Sequence, residues 1–148
     1  MRTPFDGDRL AGFLSDALAF TQADRLLTLS FPPGCGIADN LLLPQELTGV
    51  EGINEGFTYT LTCLSADAFL ELKHFIGVPV QVSLLTDGGE QRALCGLITR
   101  AGHAGSDGGF TRYVFTLQDP LAVLARRVNS RVFQDLSVRE FVAQLLAE

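Results

Sequence analysis

The chain has no tryptophan, one methionine, two histidines and three cysteines in 148 residues. Each scarcity closes a route. Three cysteines cannot all pair with one another, and none stands in a CxxC pair or at the spacing of a zinc site. Free thiols fit a reducing compartment. Cys63 and Cys95 fall at apolar-facing strand positions, so both are expected to be buried and to behave as small hydrophobes. Cys35, in Pro33-Gly34-Cys35-Gly36, is expected in an exposed turn. The two histidines, His74 and His103, lack metal-ligand company and read as polar residues, His74 late in a short helix and His103 in a glycine-rich loop.

Positive charge is also in short supply. Eleven Lys and Arg against seventeen Asp and Glu give a net charge of -6. A phosphate backbone demands clustered cations, so the acidic balance argues against general nucleic-acid binding, and no nucleic-acid partner is expected. Arg126, Arg127, Arg131 and Arg139 do gather near two helices; they read as a solvated face complementing a helix C-terminus, with an acidic partner surface as the other reading. No apolar run approaches the length of a membrane span, and Met1 to Asp6 lacks the apolar core of a signal peptide. A stable membrane anchor is not expected, and export would use another route than the signal-peptide pathway.

Catalytic motifs are missing in the same way. There is no G-x-S-x-G elbow, and Gly34-Cys35-Gly36 is too short for a phosphate cradle. Ser106, in Gly105-Ser106-Asp107-Gly108, has only His74 and His103 as candidate bases, which makes a triad improbable. Glu46, Glu51, Glu55 and Glu71 are spaced as solvated surface carboxylates. No catalytic, metal-binding or cofactor-binding residue is assigned, and no cofactor is expected. The expectation is a scaffold or binding domain, not an enzyme.

What the chain does have is alternation. Phe57, Tyr59, Leu61 and Cys63 point one way while Thr58, Thr60 and Thr62 point the other. Val78, Val80, Val82 and Leu84 repeat the pattern, as do Tyr113, Phe115 and Leu117. A period of two marks strands with one wet and one dry face. Strands are expected over Leu26–Phe31, Gln45–Val50, Phe57–Leu64, Val78–Leu85, Gln91–Arg100 and Phe110–Gln118, with 39–43 as an edge strand or loop. Gly52 and Gly56 bracket one turn, and Asp87-Gly88-Gly89 makes a hairpin turn. A glycine-rich loop is expected from Gly102 to Gly109.

Helical spacing interrupts this pattern. A short helix is expected from Ala66 to Phe75, capped by Ser65 or Asp67, burying Phe69, Leu72 and Phe75 and ending at Gly77. Asp119-Pro120 opens another, with Leu121, Leu124, Ala125 and Val128 as its inner stripe. Arg131–Gln134 is expected to be extended. Ser137 and Glu140 form a capping box, with Leu136 stapling to Phe141, for a last amphipathic helix carrying Val138, Phe141, Val142, Leu145 and Leu146. That helix has no stop signal before Glu148, so the chain is expected to be cut short. The division expected is an N-terminal arm or short helix over 1–22, a β-domain over 23–136, and from 137 to 148 the start of a helix leading onward.

The order of segments carries a resemblance. Leu47-Thr48-Gly49-Val50-Glu51-Gly52-Ile53-Asn54-Glu55-Gly56-Phe57 precedes a strand and a segment ending Phe75-Ile76-Gly77. Then come Cys95-Gly96-Leu97-Ile98, the strand Tyr113–Leu117, Asp119-Pro120-Leu121 and Ser130-Arg131-Val132-Phe133-Gln134. From about Leu26 to the end the chain resembles the N-terminal part of VgrG spike proteins of type VI secretion systems. More distantly it is similar to the baseplate hubs of contractile-tail phages. Many members have Ser-Glu-Pro-Phe at Asn54-Glu55-Gly56-Phe57 and Glu-Pro-Trp at Asp119-Pro120-Leu121; the exchanges keep turn, cap and apolar side chain.

The resemblance implies a mainly β fold with short helices, an antiparallel, partly or fully closed β-barrel of the phage tail hub type with two or three peripheral helices. It implies a homotrimer that caps the secreted tube, contacts the baseplate and helps to puncture target membranes. A tip protein or effector would be carried by regions beyond Glu148. Such a protein is expected in the cytoplasm before firing and exported by the machine. A phage or prophage hub is the alternative, and a ligand-binding β-barrel a more remote one.

Overall fold

The computed structural model describes residues 21–147 except Asp24, Arg127 and Asn129. The arm or helix expected over 1–22 therefore lies outside the described residues, apart from Thr21 and Gln22. Six strands form one antiparallel sheet: β1 (Leu27–Ser30), β2 (Leu43–Gly52), β3 (Gly56–Ser65), β4 (Pro79–Leu85), β5 (Gln91–Ser106) and β6 (Thr111–Gln118). Their order is β1-β4-β5-β6-β3-β2.

The sheet curls because its sequence gives it one dry face and interrupts its ladders. Tyr59, Leu61 and Cys63 of β3 stand opposite Leu117, Phe115 and Tyr113 of β6, and all six side chains are buried. Leu29, Val80, Val82 and Ile98 continue the same interior. Bulges fall between Pro44 and Glu46 in β2, and between Ile98 and Arg100 and between His103 and Ser106 in β5. Each bulge bends its strand and adds twist. The result is a half-barrel, the partly closed form of the expected architecture. Its two edge strands, β1 and β2, approach one another. Gln22 lines the β1 edge, exchanging bonds with the amide and carbonyl of Leu29 and donating to the Asp39 carbonyl. Arg25 Nη1 donates to the Pro44 carbonyl at 3.2 Å. Side chains thus occupy part of an edge that would otherwise present unpaired backbone.

Several expectations need correction. No α-helix spans 66–75; only one 3₁₀ turn forms, Leu72–Phe75. Ser65 Oγ accepts from the Asp67 amide and Asp67 Oδ1 from the Phe69 amide, and these local bonds hold the segment in turns. Phe75 is buried, Leu72 is half-buried, and Phe69 is 91% exposed. Gly77 does take the left-handed conformation, at φ 80°. Residues 39–42 are a loop. β5 runs through to Ser106, so the expected glycine-rich loop shrinks to a tight turn closed by Asp107. Cys95 is exposed; Cys63 is fully buried, and burial pushes its thiol pKa up.

Two α-helices follow the sheet: α1 (Pro120–Leu124) and α2 (Val138–Leu146). Asp119 Oδ1 accepts from the amides of Leu121 and Ala122, as its capping position predicts. The inner stripe of α1 is corrected, because Leu121 is 64% and Val128 wholly exposed. The capping box of Ser137 and Glu140 forms in full. Phe133 is the ring that packs on Phe141, with centroids 5.3 Å apart.

Candidate functional site

The residues weighed for chemistry are built into local structure. His74 is exposed, with Nε2 3.4 Å from Glu71, which also pairs with Lys73 at 2.8 Å. His103 lies on β5, not in a loop; its Nδ1 accepts from the Gly105 amide and its ring meets Tyr113 edge-on at 5.7 Å. Ser106 Oγ donates to the Phe110 carbonyl at 3.0 Å, which ties it into the β5–β6 turn. Among the described residues no three His, Cys, Asp or Glu side chains gather to hold a metal ion. Arg126 donates to Gln118 at 3.1 Å, Arg139 sits on α2, and Arg127 is outside the described residues.

One polar cluster was not legible as such. Glu51, read as a solvated carboxylate, joins three strands. It accepts from Arg92 of β5 at 2.8 Å and from the Tyr59 hydroxyl of β3. The Tyr59 ring reaches across β2 because Gly49 opposite has no side chain; a Cβ there would lie 2.3 Å from the ring. The Tyr59 hydroxyl bond, and then the Arg92 guanidinium, hold the Glu51 carboxyl below its ordinary value of 4.5. A lowered value means the contribution is present above the unfolded-state value and lost as pH falls through the folded one. Glu51→Gln should therefore lower the thermal midpoint most at neutral pH, and the gap to the parent should narrow on acidification below 4.5. Calorimetry of both proteins across that range tests it; a gap that does not change with pH would show that the carboxylate charge plays no part.

One surface groove is lined mainly by apolar side chains. At the end of the barrel where β1 leaves and α1 begins lies a groove of 390 Å³, lined by Phe31, Pro32, Pro79, Cys95, Leu97 and Pro120 among others. Beside it, Asp119 joins two of the motif segments: besides capping α1 it accepts from the Phe57 amide through Oδ2 at 3.4 Å. Gly56, at φ 70°, lets the carboxylate approach so closely that a Cβ would sit 2.1 Å from it. The β2–β3 turn at this junction presents Ile53, 93% exposed.

A family model described as the phage tail baseplate hub matches residues 50–148, which takes in β3 to α2 and the Gly56–Asp119 junction. The chain belongs to the phage tail baseplate hub family. This hub segment is 32% identical over 75% of its length to a Pseudomonas aeruginosa type VI secretion system spike protein, VgrG1a. It is 28% identical over 76% of its length to the spike protein VgrG3 of Vibrio cholerae. It spans only 17% and 12% of those two relatives. Among solved structures it superposes, with a TM-score of 0.63 and 21% identity, on an Escherichia coli type VI secretion component described as structurally similar to bacteriophage T4 tail proteins. That match covers 82% of this chain and 32% of the other, and it supports the fold.

The hub family is one of structural spike and baseplate proteins, which suits a chain whose polar clusters brace strands. Its helix α2 leaves Val138, Val142 and Leu146 at 40–73% exposure. Among the described residues no helix is long and apolar enough to cross a membrane.

Proposed function

We propose that this chain is the hub part of a trimeric, VgrG-type spike of a contractile injection machine, with a structural and not a catalytic role. The observation that carries the proposal is the hub-family match over residues 50–148 together with spike proteins as relatives. In this reading residues 23–136 are the hub-like barrel domain, and the helix that begins at Ser137 leads into the next segment. Three copies form a ring through one repeated head-to-tail contact. The ring caps the secreted tube and rests in the baseplate, and a tip protein or effector is carried by segments other than the barrel. The protein waits in the cytoplasm and leaves with the tube when the sheath contracts.

A phage or prophage hub is the second reading, favoured by the description of the family itself. Deleting the gene distinguishes the two. The spike reading expects release of the tube protein into the medium to stop and to return when the gene is restored. Undiminished tube release would overturn it, and phage particles lacking tails would establish the second reading.

A further inference from the structure

β2 is an edge strand, and its outer edge is only partly followed by another. It has ten residues where β1 has four. Arg25, which leads into β1, reaches Pro44 at the start of β2. At the other end Thr48 to Gly52 are all exposed, with Val50 at 74% and Ile53 following in the turn. An uncovered strand edge invites pairing, and proteins protect it with charge or cover it with a helix or loop.

This end of β2 is acidic. The Glu51–Arg92 pair brings the start of β5, and with it the β4–β5 turn, to the same rim. Glu55, Asp87 and Glu90 gather there, all exposed, and among the described residues none of them has an ion pair. Like charges disfavour a two-fold contact of one β2 edge with another. Helix α2 has the opposite character. Val138, Val142 and Leu146 recur at every fourth position, and Arg139, three residues before Val142 and seven before Leu146, flanks their stripe. Glu140 is held at the N-cap by its bonds with Ser137, so the charge beside the stripe is positive.

We propose that α2 of one copy covers the acidic end of β2 in a second copy, with Arg139 against Glu55 and Glu90 and the valines of α2 against Val50 and Ile53. Both surfaces are exposed in the single chain, so α2 does not cover the edge of its own barrel. The two surfaces differ, so the contact is head-to-tail and each copy keeps one of each for the next. This contact rests on the ring reading above and names the surfaces that build it.

Sedimentation velocity from about 10 µM to about 1 mM, which spans weak to moderate affinities, compares the parent with three variants. These are Arg139→Glu; Glu55→Lys with Glu90→Lys; and all three substitutions together. Every site is exposed, so the urea midpoint should stay near that of the parent and serves as the folding control. Each of the first two variants places like charges across the contact and should weaken association at least about tenfold. The third exchanges the charges and should restore it. An equal mixture of the first two should associate better than either alone, which a contact within one chain cannot produce. Unchanged association in the first two variants, or no recovery in the third, would overturn the contact and leave the ring to another surface. A parent that stays monomeric throughout would also overturn it, whereas the injection-machine reading is decided separately by the gene deletion.

Discussion

Val82→Asp should leave no cooperatively folded protein, while Gln81→Asp, one residue away, should be nearly silent. Val82 is fully buried, opposite Leu29 of β1 and Leu94 of β5. Gln81 is exposed, opposite Ser30 and Cys95. The aspartate at 82 forfeits about 1.5–3 kcal/mol of valine burial. It also places a carboxyl with no partner in the barrel interior, at a cost of several kcal/mol even after it takes up a proton. The sum is of the order of 5 kcal/mol or more, against a total stability of roughly 5–15 kcal/mol for a natural domain. At 81 the new carboxylate stays in water, and the expected change is within about 0.5 kcal/mol. Urea unfolding followed by circular dichroism measures both. A folded Val82→Asp with a midpoint near that of the parent would mean that this face of the sheet is not the inside of a barrel.

The same parity explains what the sequence discloses and what it hides. In β3 and β6 every second residue is large and apolar and the others are mostly Thr, Arg or Gln, so the dry face is unambiguous. In β5 it is not. Ala93, Cys95 and Leu97 lie on one parity and Leu94, Gly96 and Ile98 on the other, and both read as apolar. Pairing decides the matter, because Val82 stands opposite Leu94 and so turns Cys95 outward. Segment 66–71 failed for a related reason. Phe69, Leu72 and Phe75 recur at helical spacing, yet the Tyr113 hydroxyl donates to the Asp67 carbonyl and accepts from the Leu70 amide. Those bonds span 46 and 43 residues, and a local window contains neither partner.

The Gly56–Asp119 junction was legible only in its parts. The capping role of Asp119 follows from the Asp-Pro pair and is found as expected. Its second bond, to the Phe57 amide, joins positions 62 apart in the chain and makes one junction of two motif segments that looked independent. Gly56 supplies the positive φ and the space that an adjacent carboxylate needs. Glu51 shows the complementary limit. As one of several exposed carboxylates it carried no mark in the sequence, and its role came only when β2, β3 and β5 were brought to one place.

Phe115→Ala should cost about 3–5 kcal/mol, the range for truncating a buried phenylalanine. Phe115 is 1% exposed and stands between Leu61 of β3 and Ala101 of β5. Its ring lies 5.2 Å from that of Phe75, which in turn lies 6.3 Å from Phe31. How much of the range is realised depends on whether the cavity can collapse. The strands on either side are held by their ladders, so among the described residues the neighbouring ring placed to follow is Phe75 on its 3₁₀ turn. That turn is itself pinned, because the Gly77 amide donates to the Ile98 carbonyl at 2.8 Å and the Ile98 amide donates to Val78 at 3.1 Å. Collapse is therefore restricted, and the upper half of the range is expected. The urea midpoint should fall with an unchanged slope, since the surface exposed on unfolding stays nearly the same. Leu121→Ala, on an exposed position of α1, should move the midpoint hardly at all. A loss below about 1 kcal/mol for Phe115→Ala would mean that Phe75 swings into the space, and that the turn it sits on is looser than its two backbone bonds imply.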